Sequence, residues 1–208
     1  MKLLIGASSS KIFHLNEFSQ NLEKSGVECS VVLDSDYADG FPSRKIGNWF
    51  KSNSKFTELI NDFKPDAVFV DRQRHFGLEA LKNDIPLFVH LRGNYWEESS
   101  WAKKTIYKSR IDKLAIAKNE KLFDVCLRKS SLILPISKYL ENEVKKRYPE
   151  KNIKLFPADG RDQEEWFPIT VQKLKHPCVG LLQGLNIWGK SKELLTLKTV
   201  LKELPKVT

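Results

Sequence analysis

No stretch of the 208 residues approaches the roughly 20 consecutive apolar positions that a membrane-crossing helix needs. Cysteine is scarce: Cys29, Cys126 and Cys178 are odd in number and share no metal-ligand spacing. That excludes a disulfide framework and a zinc finger, and it predicts buried free thiols in a cytoplasmic protein. Glycine is sparse where nucleotide motifs need it. Gly6 stands alone in the first loop, so the G-x-G-x-x-G fingerprint is missing there. No Walker loop, Ser-His-Asp order or acidic metal cluster stands out, and no metal is expected. Internal repeats and low-complexity tracts are absent too. Met1 to Gly6 opens like a signal peptide, but polar Ser8-Ser9-Ser10-Lys11 cuts it short, so it reads as a buried strand.

What is present describes a globular chain. Hydrophobic residues make up 41% and charged residues 29%. The net charge of +9 fits a polyanionic partner, whether phosphorylated substrate, anionic membrane or nucleic acid. It fits a solvated lysine-rich surface equally well.

Short apolar runs alternate with helical patterns. Strands are expected over 2–6, 27–33, 66–70, 86–91, 131–136 and 153–156. Leu15, Phe18 and Leu22 mark one helix face, and Phe56, Leu59, Ile60 and Phe63 another. A short helix is expected over 75–82, and Ser137 can cap the helix carrying Leu140 and Val144. Residues 37–53 read as a long loop. Residues 97–129 read as one long, mostly helical stretch with Ile111, Leu114, Leu122 and Val125 on one side. Apolar strands separated by helices predict an α/β fold, a Rossmann-like doubly wound, mostly parallel sheet with helices on both faces. After the turn cluster Pro157 to Asp162 and Trp166-Phe167-Pro168, a strand at 178–182 and a helix with Leu194, Leu197, Leu201 and Leu204 start afresh. The expected organisation is a first domain over 1–157, a hinge over 158–176, and the truncated opening of a second Rossmann-like unit over 177–208.

Ligands of such sheets bind beyond the carboxyl ends of the strands. Those ends hold Ser8, Ser9 and Ser10 with His14 beyond, then Arg72, Arg74 and His75, then His90, Arg92 and Asn94. The serines can offer hydroxyls and backbone N–H groups to phosphate or sugar oxygens. A plain turn capping the first helix reads almost as well. Arg72 and Arg74 can bind an anionic acceptor, or pair at the surface with Asp71 or Glu79. His90 can hydrogen-bond a sugar hydroxyl or a phosphate, or be a core histidine satisfied by backbone. Between Trp96 and Lys113, aromatics lie among lysines and arginines. The commonest form of such a segment is a helix with its rings inside. The composition also fits peripheral membrane contact and, less well, single-stranded nucleic acid, which is not expected as a partner.

Four stretches together resemble the N-terminal domain of retaining nucleotide-sugar glycosyltransferases of the GT-B class, in the group 1 family. They are Val89-His90, Leu132 to Ser137 with Leu140, Asp159-Gly160-Arg161-Asp162 with Trp166-Phe167-Pro168, and Val179-Gly180-Leu181 with Lys190. The resemblance implies a hexosyl-type transferase without cofactor, its nucleotide-sugar donor being a substrate. It implies a catalytic-site role for His90, near the transferred sugar. Ser8 to Ser10 and Lys190 would contact the donor phosphates. The glycan or lipid-linked acceptor would bind the first domain, where Arg72, Arg74, His75, Arg92 and Asn94 are the candidates. The expected location is the cytoplasm, and the composition of the Trp96–Lys113 region adds peripheral membrane contact as an alternative to a plain packed helix. The likeness departs from the family pattern at the serine loop, at Leu181 and at Ser191. The family's Glu-x7-Glu element would lie beyond Thr208, so residues 1–208 alone are expected to be inactive. The alternative is a non-catalytic Rossmann-like module that binds a phosphorylated ligand.

Overall fold

The computed structural model describes residues 1–43, 46–49, 53–71, 74–105, 109–156 and 194–203. The chain divides into two compact units, Met1–Asp162 and Gln163–Thr208.

The first unit is built on five strands: β1 (Lys2–Ala7), β2 (Glu28–Leu33), β3 (Ala67–Val70), β4 (Leu87–Leu91) and β5 (Leu132–Pro135). Their order is β2-β1-β3-β4-β5, and every neighbouring pair is parallel. Among the described residues seven helices accompany them: α1 (Ile12–Lys24), α2 (Asp34–Tyr37), α3 (Ser54–Phe63), α4 (His75–Lys82), α5 (Tyr95–Thr105), α6 (Arg110–Lys129) and α7 (Lys138–Arg147). This is the Rossmann-like α/β sheet that the sequence predicts. The direction of winding reverses between β1 and β3, and in such sheets the crevice at that point is where ligands bind.

Side-chain alternation along the strands loads both faces of the sheet. Leu4, Val68, Val70 and Val89 point to one face, against Phe56 of α3, Phe76 of α4, Phe123 of α6 and Val144 of α7. Leu3, Ile5, Ala7, Ala67 and Phe69 point to the other, against Leu15 and Phe18 of α1. Gly6 matters for one such contact. A Cβ at this position would lie 2.5 Å from the fully buried Phe76 ring, so only glycine lets β1 and α4 approach this closely.

Several expected elements differ. The expected sixth strand, 153–156, is an extended segment with a single bridge, Ile153 to Ile133. Backbone bonds still tie it to β5, with Lys154 N donating to Ile133 O (3.0 Å) and Phe156 N to Pro135 O (2.8 Å). The expected loop after β2 begins later, because Asp34–Tyr37 is helical, and it holds a 3-10 turn at Ile46–Asn48. The long helix is two helices. Ser109 starts the second with a capping box, its Oγ accepting from Asp112 N (3.1 Å) while Ser109 N donates to the Asp112 carboxylate (3.3 Å).

The inward face of α6 also corrects the expectation. Ile116, Leu122, Phe123, Cys126 and Leu127 are buried, whereas Ile111 and Leu114 are 66% and 62% exposed. Of the expected buried thiols, Cys126 is buried, and burial pushes its pKa up to about 12. Cys29 is only half-buried, because β2 is an edge strand. Cys178 lies outside the described residues. In the second unit, a 3-10 turn at Leu194–Thr196 leads into a helix over Leu197–Glu203. The expected hinge 158–176 and the strand at 178–182 lie outside the described residues.

Candidate functional site

The carboxyl ends of β1, β3 and β4 are adjacent in the sheet, and they bring together residues far apart in the sequence. His90, on β4, is 2% exposed, and Asp71, just past β3, is 5% exposed. His90 Nδ1 lies 3.2 Å from Asp71 Oδ1, and an Arg92 guanidinium nitrogen lies 3.7 Å from the same oxygen. The His90 ring stands between two others, its centroid 5.7 Å from Phe69 and 5.4 Å from Phe156. Burial pushes the Asp71 carboxyl up. Its contacts with His90, the Arg92 guanidinium and the Lys11 ammonium outweigh that, and its pKa falls below the usual carboxylate value.

One feature of this cluster is unusual for a protein interior. Among the described residues, His90 Nε2 is buried without a hydrogen-bond partner. The close Nδ1–Oδ1 approach is not aligned as a hydrogen bond, so these two atoms also lack an aligned partner. Buried polar atoms are nearly always paired, and an unpaired one in a native fold calls for a reason. The Asp71 carboxylate stands on the Nδ1 side of the ring. Nε2 faces no hydrogen-bonding group among the described residues. The core-histidine reading, in which backbone groups satisfy the ring, is not what the structure shows.

The serine loop follows β1 on the same edge. Lys11 N and Ile12 N both donate to Ser8 O (2.8 and 3.0 Å), which makes a tight turn into α1. Ser9 and Ser10 are exposed, and Ser8 Oγ lies 3.4 Å from Ser10 Oγ. No side chain caps α1, and its first N–H, that of Ile12, is taken by Ser8 O.

Other candidates have local duties. His75 heads α4, and its Nε2 lies 3.2 Å from Phe41 O, which holds the 40–41 loop. Burial lowers the His75 pKa, more than the Phe41 carbonyl and Asp39 raise it. Asn94 starts α5, its Oδ1 accepting from Glu97 N (3.1 Å). Tyr139 Oη donates to Glu97 Oε1 (3.1 Å) and accepts from Asn94 Nδ2, which binds α7 to this turn. His14 sits 3.9 Å from Glu17 on α1. Asp71 and Glu79, expected as surface partners for the arginines, are both buried. Glu79 instead accepts from Lys82 and Asn53. Arg72 and Lys190 lie outside the described residues.

Arg74 does line a space. A cavity of about 430 Å³ opens beyond β3 and β4, walled by Arg74, Glu98, Ser99 and Asn119 over Ala102 and Ile116. The Arg74 Nε stands 4.0 Å from Asp34, a buried carboxylate at the end of β2. Burial raises the Asp34 pKa against the pull of Arg74. Asp34, Lys11, Glu98 and Asn119 were not among the expected site residues. Position was the available signal for Asp34, since it directly follows the apolar run of β2.

The aromatic–basic segment divides in two. Tyr95 stacks on Phe123 at 4.0 Å, and Trp96 packs edge-on against Phe123 with the Arg147 guanidinium 4.3 Å from its ring. These rings belong to the core boundary. Trp101 is exposed at 43%. Among the described residues, no helix is long and apolar enough to cross a membrane, and no three His, Cys, Asp or Glu side chains gather as a metal site.

No family model matches the chain, and no curated protein matches it. Among solved structures, UGT73P12 of Glycyrrhiza uralensis, complexed with glycyrrhetinic acid 3-O-monoglucuronide, is similar with a TM-score of 0.40 and 14% identity. The similarity covers 74% of this chain and 42% of that one, so the chain spans less than half of its length.

Proposed function

We propose that residues 1–162 form the acceptor-side domain of a nucleotide-sugar glycosyltransferase of the GT-B type, acting with retention. The observation that carries this reading is the unpartnered, buried Nε2 of His90 at the carboxyl edge of a Rossmann-like sheet. A sugar hydroxyl donating to Nε2 would satisfy it, with Asp71 facing the other ring nitrogen. The flanking cations Lys11 and Arg92 and the serine turn suit the negative charge of a departing nucleotide diphosphate. The Arg74–Glu98–Asn119 cavity has the mix of charged and amide groups that hold hydroxyls, over an apolar floor. It is the place for a glycan or lipid-linked acceptor. Under this reading His75 and Asn94 support the site from behind. Lys190 contributes to the donor side, as the family resemblance implies.

Sugar transfer from UDP- and GDP-sugars, assayed on the full-length product of the reading frame that holds these residues, tests the proposal. His90→Phe keeps a ring between Phe69 and Phe156 but removes the nitrogen. It is expected to lower kcat about a hundredfold with the fold intact. Undiminished transfer by His90→Phe overturns the role of His90. Tight binding of a phosphorylated ligand with no transfer overturns the catalytic reading in favour of a binding module.

A further inference from the structure

α6 carries apolar residues on two faces, and only one of them is used by the core. Ile116, Phe123 and Leu127 pack inward. Ile111 and Leu114, three residues apart and therefore neighbours on the helix surface, project into solvent at 66% and 62% exposure. Arg110, Leu114, Lys118 and Lys121 follow one another along a row beside Ile111 at helical spacing. All three of these cations are exposed, and none makes an ion pair among the described residues. The acidic residues of the helix are occupied elsewhere. Asp112 closes the capping box with Ser109, Glu120 receives Lys103 and Ser99, and Asp124 receives Arg128 and Tyr148.

We propose that this outer face of α6 docks on an anionic phospholipid surface, with Ile111 and Leu114 entering the acyl boundary and Arg110, Lys118 and Lys121 meeting the headgroups. The chemistry favours lipid over the other polyanions. Single-stranded nucleic acid is held by aromatic rings on which bases stack, and this face offers branched aliphatics. Aliphatic tips bordered by cations are what an interfacial helix presents to a membrane. Each basic side chain near an anionic leaflet adds to the attraction. The chain's net charge of +9 acts in the same direction. The inference stands apart from the transferase reading and does not depend on it.

The experiment is co-sedimentation of the 208-residue chain with vesicles of phosphatidylcholine alone, and of phosphatidylcholine with about one-third phosphatidylglycerol. Binding is expected only to the anionic vesicles and should weaken as salt rises. Ile111→Ser with Leu114→Ser should reduce the bound-to-free ratio about tenfold, because two aliphatic side chains no longer enter the acyl boundary. Both positions are exposed, so the thermal unfolding midpoint should not move. Lys118→Glu with Lys121→Glu should abolish binding through charge alone. No binding of the unaltered chain to anionic vesicles overturns the proposal. So does binding that the double serine variant leaves unchanged. If single-stranded oligonucleotide binding falls in that variant while vesicle binding does not, the face belongs to nucleic acid and the proposal fails.

Discussion

Asp71 and His90 each stand one residue past a paired position, Val70 and Val89, on adjacent parallel strands, and their facing atoms are 3.2 Å apart. Parallel register alone therefore delivers a carboxylate to an imidazole across 19 residues of chain, at the edge where the sheet receives ligands. Removing the charge should expose what it does. Asp71→Asn should destabilise the fold by about 1 kcal/mol, since His90 and Arg92 lose the carboxylate that both face. Chemical denaturation checks the magnitude, and the 15N shifts of the His90 ring should move when the facing carboxylate is lost. A variant as stable as the parent, with an unchanged ring, would refute the pairing.

The same carboxylate sets an acid limit. Its folded pKa lies below the unfolded value of 3.8, so its stabilising contribution is complete above that value and is lost as pH falls through the folded pKa. Stability measured downward from pH 5 should decline more steeply in the parent than in Asp71→Asn.

His75 sets a second, milder limit with the opposite chemistry. Burial lowers its pKa below 6.5, so the neutral ring belongs to the fold and the charged ring to the unfolded chain. Its contribution is complete above pH 6.5 and is lost as pH falls below that value toward the folded pKa. His75→Gln, which keeps a donor for Phe41 O, should flatten the stability profile in that window. Urea midpoints at a series of pH values give the test, and parallel profiles would count against it.

Gly6→Ala places a methyl group 2.5 Å from the Phe76 ring, which itself meets Phe56 edge-on at 4.9 Å. Overpacking of this kind costs about 1–3 kcal/mol. Phe76→Leu in the same chain should recover part of that loss, and a double-mutant cycle measures the recovery. Simple additivity of the two substitutions would show that the contact is not the cause.

Ser109→Ala breaks the capping box that separates α5 from α6 and should cost about 1 kcal/mol, read as a lower denaturant midpoint. An unchanged midpoint would mean that packing at Ile116 and beyond already fixes the start of the helix.

The sheet was legible because its strands are short apolar runs bounded by polar turns. The α4 helix was read at its observed ends, His75 and Lys82. The Asp71–His90 pair was hidden because it depends on which strands are neighbours. β3 and β4 are consecutive and parallel, however, so aligning their apolar runs would have set the two residues side by side. The start of α6 was legible but passed over, since Ser109 and Asp112 have the spacing of a capping box. Its inward face was not legible. Periodicity gives the angle between apolar residues, and Ile111–Leu114 and Ile116–Phe123 are both helical faces. Only the position of the sheet decides which of them is covered.

Phe156 closes the described part of the first unit, and its ring touches both Phe18 of α1 and His90. Backbone bonding fixes it to Pro135 at the same time. A displacement of the Phe156 ring would therefore be felt at the imidazole and at α1 together.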